Sequence, residues 1–181
     1  MRKFGSSIAG TVRLKKDWEE GSISKVLTRI HQVFQVVPGI TSFVEEDEIR
    51  FKFFKEKILR QILKIGQRQT LIVTPSYFSY VRIRNELIRQ EVDAAFVCEY
   101  SRDSEISRGR SRFFHGQTSI LLYSGRAHFF RRYMMRGSMH VIFYSLPEYA
   151  HFYPEIVNMI GFGLSETEKE KGISCTVLLS Q

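Results

Sequence analysis

The chain has 181 residues, 43% of them hydrophobic, with 15 Phe and 8 Tyr; this excludes global disorder and suffices for one sizeable core. A formal net charge of +8, from 27 Lys and Arg against 19 Asp and Glu, favours an acidic partner, nucleic acid before an anionic membrane surface. Two cysteines without CxxC spacing give neither a zinc ribbon nor a disulfide framework, and no apolar run approaches the roughly 20 residues of a membrane-spanning helix.

In chain order, MRKFGSSIAGTVRLKK at the start is basic and lacks the apolar centre of a signal peptide. Its weak likeness to a mitochondrial presequence is offset by Asp17, Glu19 and Glu20, so residues 1–24 are expected to form a basic, flexible tail. Asp47 to Ile65 is predicted helical, with Phe51, Phe54, Ile58, Ile62 and Ile65 spaced three or four apart. Thr70 to Val73 is a continuous apolar run of strand length. A helix follows, opened by Thr74 with Pro75 or Ser76. Its expected inward residues are Tyr77, Val81, Leu87 and Ile88, with Arg82, Glu86 and Arg89 outward. Further strands are predicted at Ala94–Cys98, Ser119–Tyr123, His140–Tyr144 and Ser174–Leu179. Helices are predicted at Ser104–Phe114 and Phe152–Ile160, and an arginine-rich segment lies after Tyr123. Continuous apolar strands alternating with amphipathic helices imply a mainly parallel sheet covered on both faces, a three-layer α/β sandwich.

Enzyme motifs are scarce. There is no GxxxxGK[ST] phosphate loop, no HExxH and no GxSxG. Gly161-Phe162-Gly163 has no strand immediately before it and lacks a third glycine, so a helix-ending turn is expected. The five histidines have no zinc-ligand spacing. Cys98 and Cys175 sit in apolar runs and are expected to be buried thiols.

Charge is unevenly distributed. Ser107 to Gly137 carries seven arginines and no lysine, and no Asp or Glu occurs from Ile106 to Pro147. Arginine grips phosphate bidentately and stacks on bases, which lysine does not. The same run also fits a solvated face or a surface that pairs with carboxylates of other proteins.

Three stretches, TPSYFSYVRIRNEL (Thr74 to Leu87), EYSRDSEISRGRSRFFHGQTSILLYSGRAHFFRRYMMRG (Glu99 to Gly137) and VIFYSLPEYAHFYPEIVNM (Val141 to Met159), together resemble the C-terminal part of the digestive organ expansion factor family. The resemblance covers roughly residues 22–181. It implies a helicase-like pseudoenzyme of two RecA-like domains, of which residues 25–181 match the second. It further implies a nucleolar small-subunit processome protein, associated with small nucleolar RNA and acting in 18S rRNA maturation. The expected partners are pre-ribosomal RNA, small nucleolar ribonucleoprotein and other processome proteins. No membrane partner, cofactor, ATP or metal is expected. Because the family's first RecA-like domain is not matched, a fragment, a truncated paralogue or an incomplete gene model is expected. Ser124-Gly125-Arg126 departs from the family's Thr-Glu-Arg and makes that strand end more basic.

Ile120–Ser124 followed by Val141–Pro147 is similar to the helicase stretch running from motif V to its Leu-Pro, with Arg136-Gly137 as the Arg-Gly pair. Beyond it, active helicases carry arginines that stabilise the transferring phosphoryl group. Here the chain reads Phe152-Tyr153-Pro154-Glu155-Ile156-Val157-Asn158, so no ATPase activity is expected. Ligands of parallel α/β sheets approach the C-terminal strand ends. Arg126, Arg131, Arg132 and Arg136 are therefore the leading RNA phosphate contacts, with His128 and Tyr133 as stacking or hydrogen-bonding partners. Arg82 and Arg84 offer a second edge. Arg108, Arg110 and Arg112 alternate around a helix, so one or two of them share a face. Phe113, Phe114, Phe129 and Phe130 are expected in the core, and Tyr149 to Tyr153 is a candidate docking surface. Two alternatives stand beside RNA binding: a protein-interaction scaffold, and the second half of an active helicase completed in trans.

Overall fold

The computed structural model describes residues 26, 30–40, 45–170 and 172–180; the predicted tail over residues 1–24 lies outside them. Six strands form one parallel sheet: β1 (His31–Val36), β2 (Thr70–Thr74), β3 (Ala94–Val97), β4 (Ile120–Ser124), β5 (His140–Phe143) and β6 (Ser174–Leu179), in the order β1-β6-β5-β2-β4-β3. The register is even, with Thr70 opposite both Ile120 and His140, and His140 opposite Ser174. All C-terminal strand ends therefore lie along one edge.

Alternation along the strands divides the core in two. Leu71, Val73, Leu121, Tyr123, Val141 and Phe143 face one layer, made of α4 (Asp103–Phe114), α5 (Gly125–Arg131) and α6 (Phe152–Val157). Ile72, Ile120, Leu122, Ile142 and Leu178 face the other, made of α1 (Glu46–Phe53), α2 (Arg60–Ile65) and α3 (Tyr77–Arg89). Each large apolar side chain buried this way stabilises the fold by roughly 1.5–3 kcal/mol. The three-layer α/β architecture expected from the alternation is the one found. A short α7 (Glu166–Glu170) precedes β6.

Two local readings are corrected and one strand is added. A π-helical stretch, Phe54–Leu59, joins α1 to α2 and shifts the helical phase; Phe54, Ile58, Leu59 and Ile62 are buried, while Ile65 is exposed. On α3 the buried stripe is Tyr80, Ile83 and Leu87, with Glu86 also buried, whereas Tyr77 and Ile88 are exposed. Ser76 caps that helix by accepting the Ser79 N–H at 3.2 Å, which sets the phase. Finally, β1 is an edge strand of mixed exposure that no continuous apolar run announced. Cys98 and Cys175 are buried free thiols, and burial pushes the Cys175 thiol up to about 12. Gly161 and Gly163, both at positive φ, form the turn after α6. Among the described residues, no helix is long and apolar enough to cross a membrane.

Candidate nucleic-acid interface

From β2 the chain crosses to edge strand β3, returns to β4 between them, and then moves to β5 on the far side of β2. The ends of β2, β4 and β5 thus form the kind of switch point at which parallel sheets open a crevice. At the end of β4, Ser124 Oγ accepts the Ala127 N–H at 3.0 Å and donates to Glu99 Oε2 at 2.6 Å. That cap starts α5 directly from the strand. Gly125 permits the tight joint, since a Cβ there would stand 3.2 Å from the Thr74 carbonyl oxygen. The resulting phase buries Ala127 and His128 and turns Arg126, Phe129 and Phe130 outward on one face.

His128 is fully buried, which removes it from the expected RNA contacts; its work is internal. Desolvation holds its imidazole below the ordinary range, against the opposing pull of Glu155, so the ring is neutral near pH 7. A carboxylate only accepts, so Nε2–H donates to Glu155 Oε2 at 3.0 Å, and Nδ1 takes the Tyr123 hydroxyl proton at 3.2 Å. Arg132 Nε donates to the same Glu155 oxygen at 3.0 Å, and its guanidinium also meets His151 Nε2 at 3.2 Å and lies over the Phe152 ring. Glu155 is the hub that ties α5 to α6.

The remaining arginines separate into groups. Arg126 pairs with Glu99 at 3.3 Å and Arg131 with Asp103 at 3.9 Å. Together with Arg132 they lie near the strand ends, with side chains 55%, 61% and 52% exposed. The acid-free stretch of sequence therefore does not lack carboxylates in space: Glu99, Asp103 and Glu155 come from other elements. Arg136 is exposed over the Phe162 ring, away from both strand-end cavities, and has no ion pair among the described residues. Arg110 donates to the Met134 carbonyl at 2.7 Å and covers the Tyr133 ring, while Arg112 pairs with Asp93 at 3.1 Å. Arg108 is exposed without a described ion pair. Arg82 and Arg84 belong to the opposite layer. Arg82 is held by Glu48 at 2.5 Å and by the Phe51 ring, and Arg84 lies over Phe96. They do not join the strand-end group.

Two cavities open at these strand ends. One, of about 250 Å³, lies between the ends of β2, β4 and β5 and is walled by Phe129, Phe130, Tyr149 and Phe152. The other, of about 610 Å³, lies beyond β3 and is lined by Glu99, Tyr100, Arg131 and Tyr133. Phe129 and Phe130, expected in the core, are 48% and 60% exposed, whereas Phe113 is buried as expected. Glu99, Tyr100, Phe129 and Phe130 are thus the site residues that the sequence reading missed. Their position just after strand ends was the available signal. No group of three or more His, Cys, Asp or Glu suited to a metal ion occurs among the described residues.

Comparison with known proteins bears on this geometry. A family model described as Utp25, C-terminal domain, matches residues 22–181. The human U3 small nucleolar RNA-associated protein 25 homolog is 38% identical over 179 residues, covering 99% of this chain and 23% of that protein. The Arabidopsis thaliana protein NUCLEOLAR FACTOR 1 is 38% identical over 144 residues, covering 80% of this chain and 19% of that protein. The chain thus spans less than a quarter of the length of these relatives. Among solved structures, the Escherichia coli DEAD-box protein SrmB bound to regulator of ribonuclease activity A aligns with TM-score 0.57 at 12% identity, covering 84% of this chain and 79% of that one. The Pyrococcus furiosus Hef helicase domain aligns with TM-score 0.53 at 17% identity, covering 76% and 28%. At such identities these matches speak to the fold alone, which is that of a helicase C-terminal RecA-like domain.

Proposed function

The chain belongs to the Utp25 family, as the counterpart of its C-terminal domain, and from that premise we propose that it is a non-catalytic module of ribosome biogenesis. In this reading it works in the nucleolus, within the small-subunit processome, and supports pre-rRNA processing and 18S rRNA maturation. It does so by binding pre-ribosomal or small nucleolar RNA together with other assembly proteins.

The observation that carries the reading is the arginine group at the strand ends. Arg126, Arg131 and Arg132 each rest on a carboxylate, with more than half of each side chain in solvent. The Arg131–Asp103 pair is exposed on both sides, and pairs of this kind are worth at most about 1 kcal/mol. An RNA phosphate therefore exchanges for that carboxylate and releases counterions as it does so. Arg126 keeps its buried Glu99 and meets phosphate with the exposed part of its guanidinium. The names of the human and Arabidopsis relatives, which refer to U3 small nucleolar RNA and to the nucleolus, support the RNA class and the compartment.

The absence of catalysis rests on α6. Phe152, Tyr153, Ile156 and Val157 are buried there, and Glu155 is bound by His128 and Arg132. A carboxylate where phosphoryl transfer develops negative charge opposes the reaction.

Fluorescence anisotropy with labelled single-stranded RNA, with and without ATP and Mg²⁺, tests the reading. The expected result is salt-sensitive binding, indifferent to ATP, with no hydrolysis. RNA-stimulated ATP turnover would contradict it. A failure to bind at low salt would give the surface to a second reading, a protein-interaction scaffold, which Phe78 (87% exposed) and Leu146 (53% exposed) favour as apolar contacts outside the arginine group.

A further inference from the structure

Two residues of α5, Arg126 and Phe130, line both strand-end cavities and so form the ridge between them. From this juxtaposition we propose that the ridge is a base-unstacking wedge for single-stranded RNA. A phosphate is held by the Arg126 guanidinium, the Phe130 ring enters between two successive bases, and one base lodges in each cavity. The inference rests on the RNA-binding reading and adds to it a specific action on the bound strand.

The wedge is exposed yet braced. Phe130 is 60% exposed and meets Phe129 edge-on at 5.2 Å and 88°. Phe129 in turn stacks on Tyr149 at 5.4 Å and 27°. Beneath them, the buried Ala127 and the Tyr123–His128–Glu155 hydrogen bonds fix α5 to the sheet. An aromatic ring held off the sheet on such a base keeps its position when a strand is laid across it.

The cavities suit bases. The smaller is walled by the stacked Phe129 and Tyr149 rings and by Phe130, with the Glu148 carboxylate on its lining to meet a base edge. The larger offers the exposed Tyr100 ring beside Arg131. Single-strand binders combine these same elements, aromatic platforms along a cationic track. An apolar anchor from a protein would use the smaller cavity but would leave the ridge cation and the second, arginine-edged cavity without a role.

Arg126 is placed by what lies under it. Glu99, with its side chain only 6% exposed, pairs with Arg126 Nε while its other oxygen takes the Ser124 hydroxyl proton. The guanidinium is thereby held at the crest rather than swinging free.

The test uses the full chain and a short single-stranded RNA carrying two adjacent 2-aminopurines, whose stacking gives an exciton-coupled circular dichroism band. Saturating wild-type protein is expected to abolish the band. Phe130→Ala is expected to bind roughly tenfold more weakly, with an unchanged salt slope, and to leave the band in place. Phe130→Leu, which keeps bulk without the ring, should fall between them, and matching melting curves for all three confirm intact folds. A band that survives saturating wild-type binding overturns the wedge while leaving RNA binding intact. So does a Phe130→Ala protein that abolishes the band as fully as wild type. Absence of RNA binding at low salt overturns the RNA reading and the wedge with it.

Discussion

The α1–α3 layer and the strand-end surface use the same side chain in opposite settings. In the layer, Arg50 is buried, bonded to Glu46 and to Ser180, with Tyr144 beside it, and Arg82 is held between Glu48 and the Phe51 ring. These contacts tie helix to helix or helix to strand. At the strand ends, Arg126 and Arg131 are mostly in solvent, and aromatic rings stand exposed beside them. Arginine content alone does not separate a scaffold from a binding surface. The exposed aromatic rings standing beside the strand-end arginines do.

That contrast can be broken or sharpened by experiment. The largest effect is expected beneath the binding surface. His128→Ala strands the Tyr123 hydroxyl and leaves a void, and should cost about 3 kcal/mol in a denaturant melt. A loss under 1 kcal/mol would mean that the hub does not anchor α5.

Next is Gly137, at φ +82°, where a Cβ would sit 3.0 Å from Gln69 Nε2 and 3.1 Å from the Phe114 Cα. Gly137→Ala should cost about 1–3 kcal/mol and leave the Arg126 surface untouched. Weakened RNA binding at full folding would instead extend the surface to the Arg136–Gly137 turn.

Smaller still is Arg82→Gln, a partly exposed pair worth about 0.2–1 kcal/mol. It is expected to lower thermal stability slightly without altering RNA affinity.

The smallest response near neutrality is to pH. His128 and His140 are both held below the ordinary imidazole range by burial. The unfolded chain therefore takes up protons first as pH falls below about 6.5, and stability declines from there. Glu86, held low chiefly by its hydrogen bond from Arg89, adds a loss of the same sign below about pH 4.3. Melting temperatures that rise between pH 7 and 5 would contradict this.

Much of the fold was legible in the sequence, because strands buried on both faces must be continuously apolar. Thr70–Val73, Ser119–Tyr123 and His140–Tyr144 could hardly lie elsewhere. The edge strand β1 is half exposed and carries no such signature. The α3 face was misread because Ser76, one of the offered caps, fixes a phase that favours Tyr80 and Ile83 over Tyr77 and Val81.

At the site, Arg126, Arg131, Arg132 and Tyr133 followed from the rule that ligands meet C-terminal strand ends. Their carboxylate partners did not, since Asp103, Glu99 and Glu155 are distant in sequence and meet them only through the sheet order. Phe129 and Phe130 were misassigned to the core because Ser124 was read as a strand end, whereas it is also the cap that starts α5 and turns both rings outward.

The most direct test of the central claim compares two triple variants for single-stranded RNA binding across a salt series. With Arg126, Arg131 and Arg132 changed to Gln, the log–log salt slope should flatten by about 2, at ~0.7 per lost phosphate contact. With Arg82, Arg84 and Arg89 changed to Gln, it should match wild type. Equal flattening in both variants, or flattening in the second alone, would contradict the assignment of the strand-end arginines as the RNA surface.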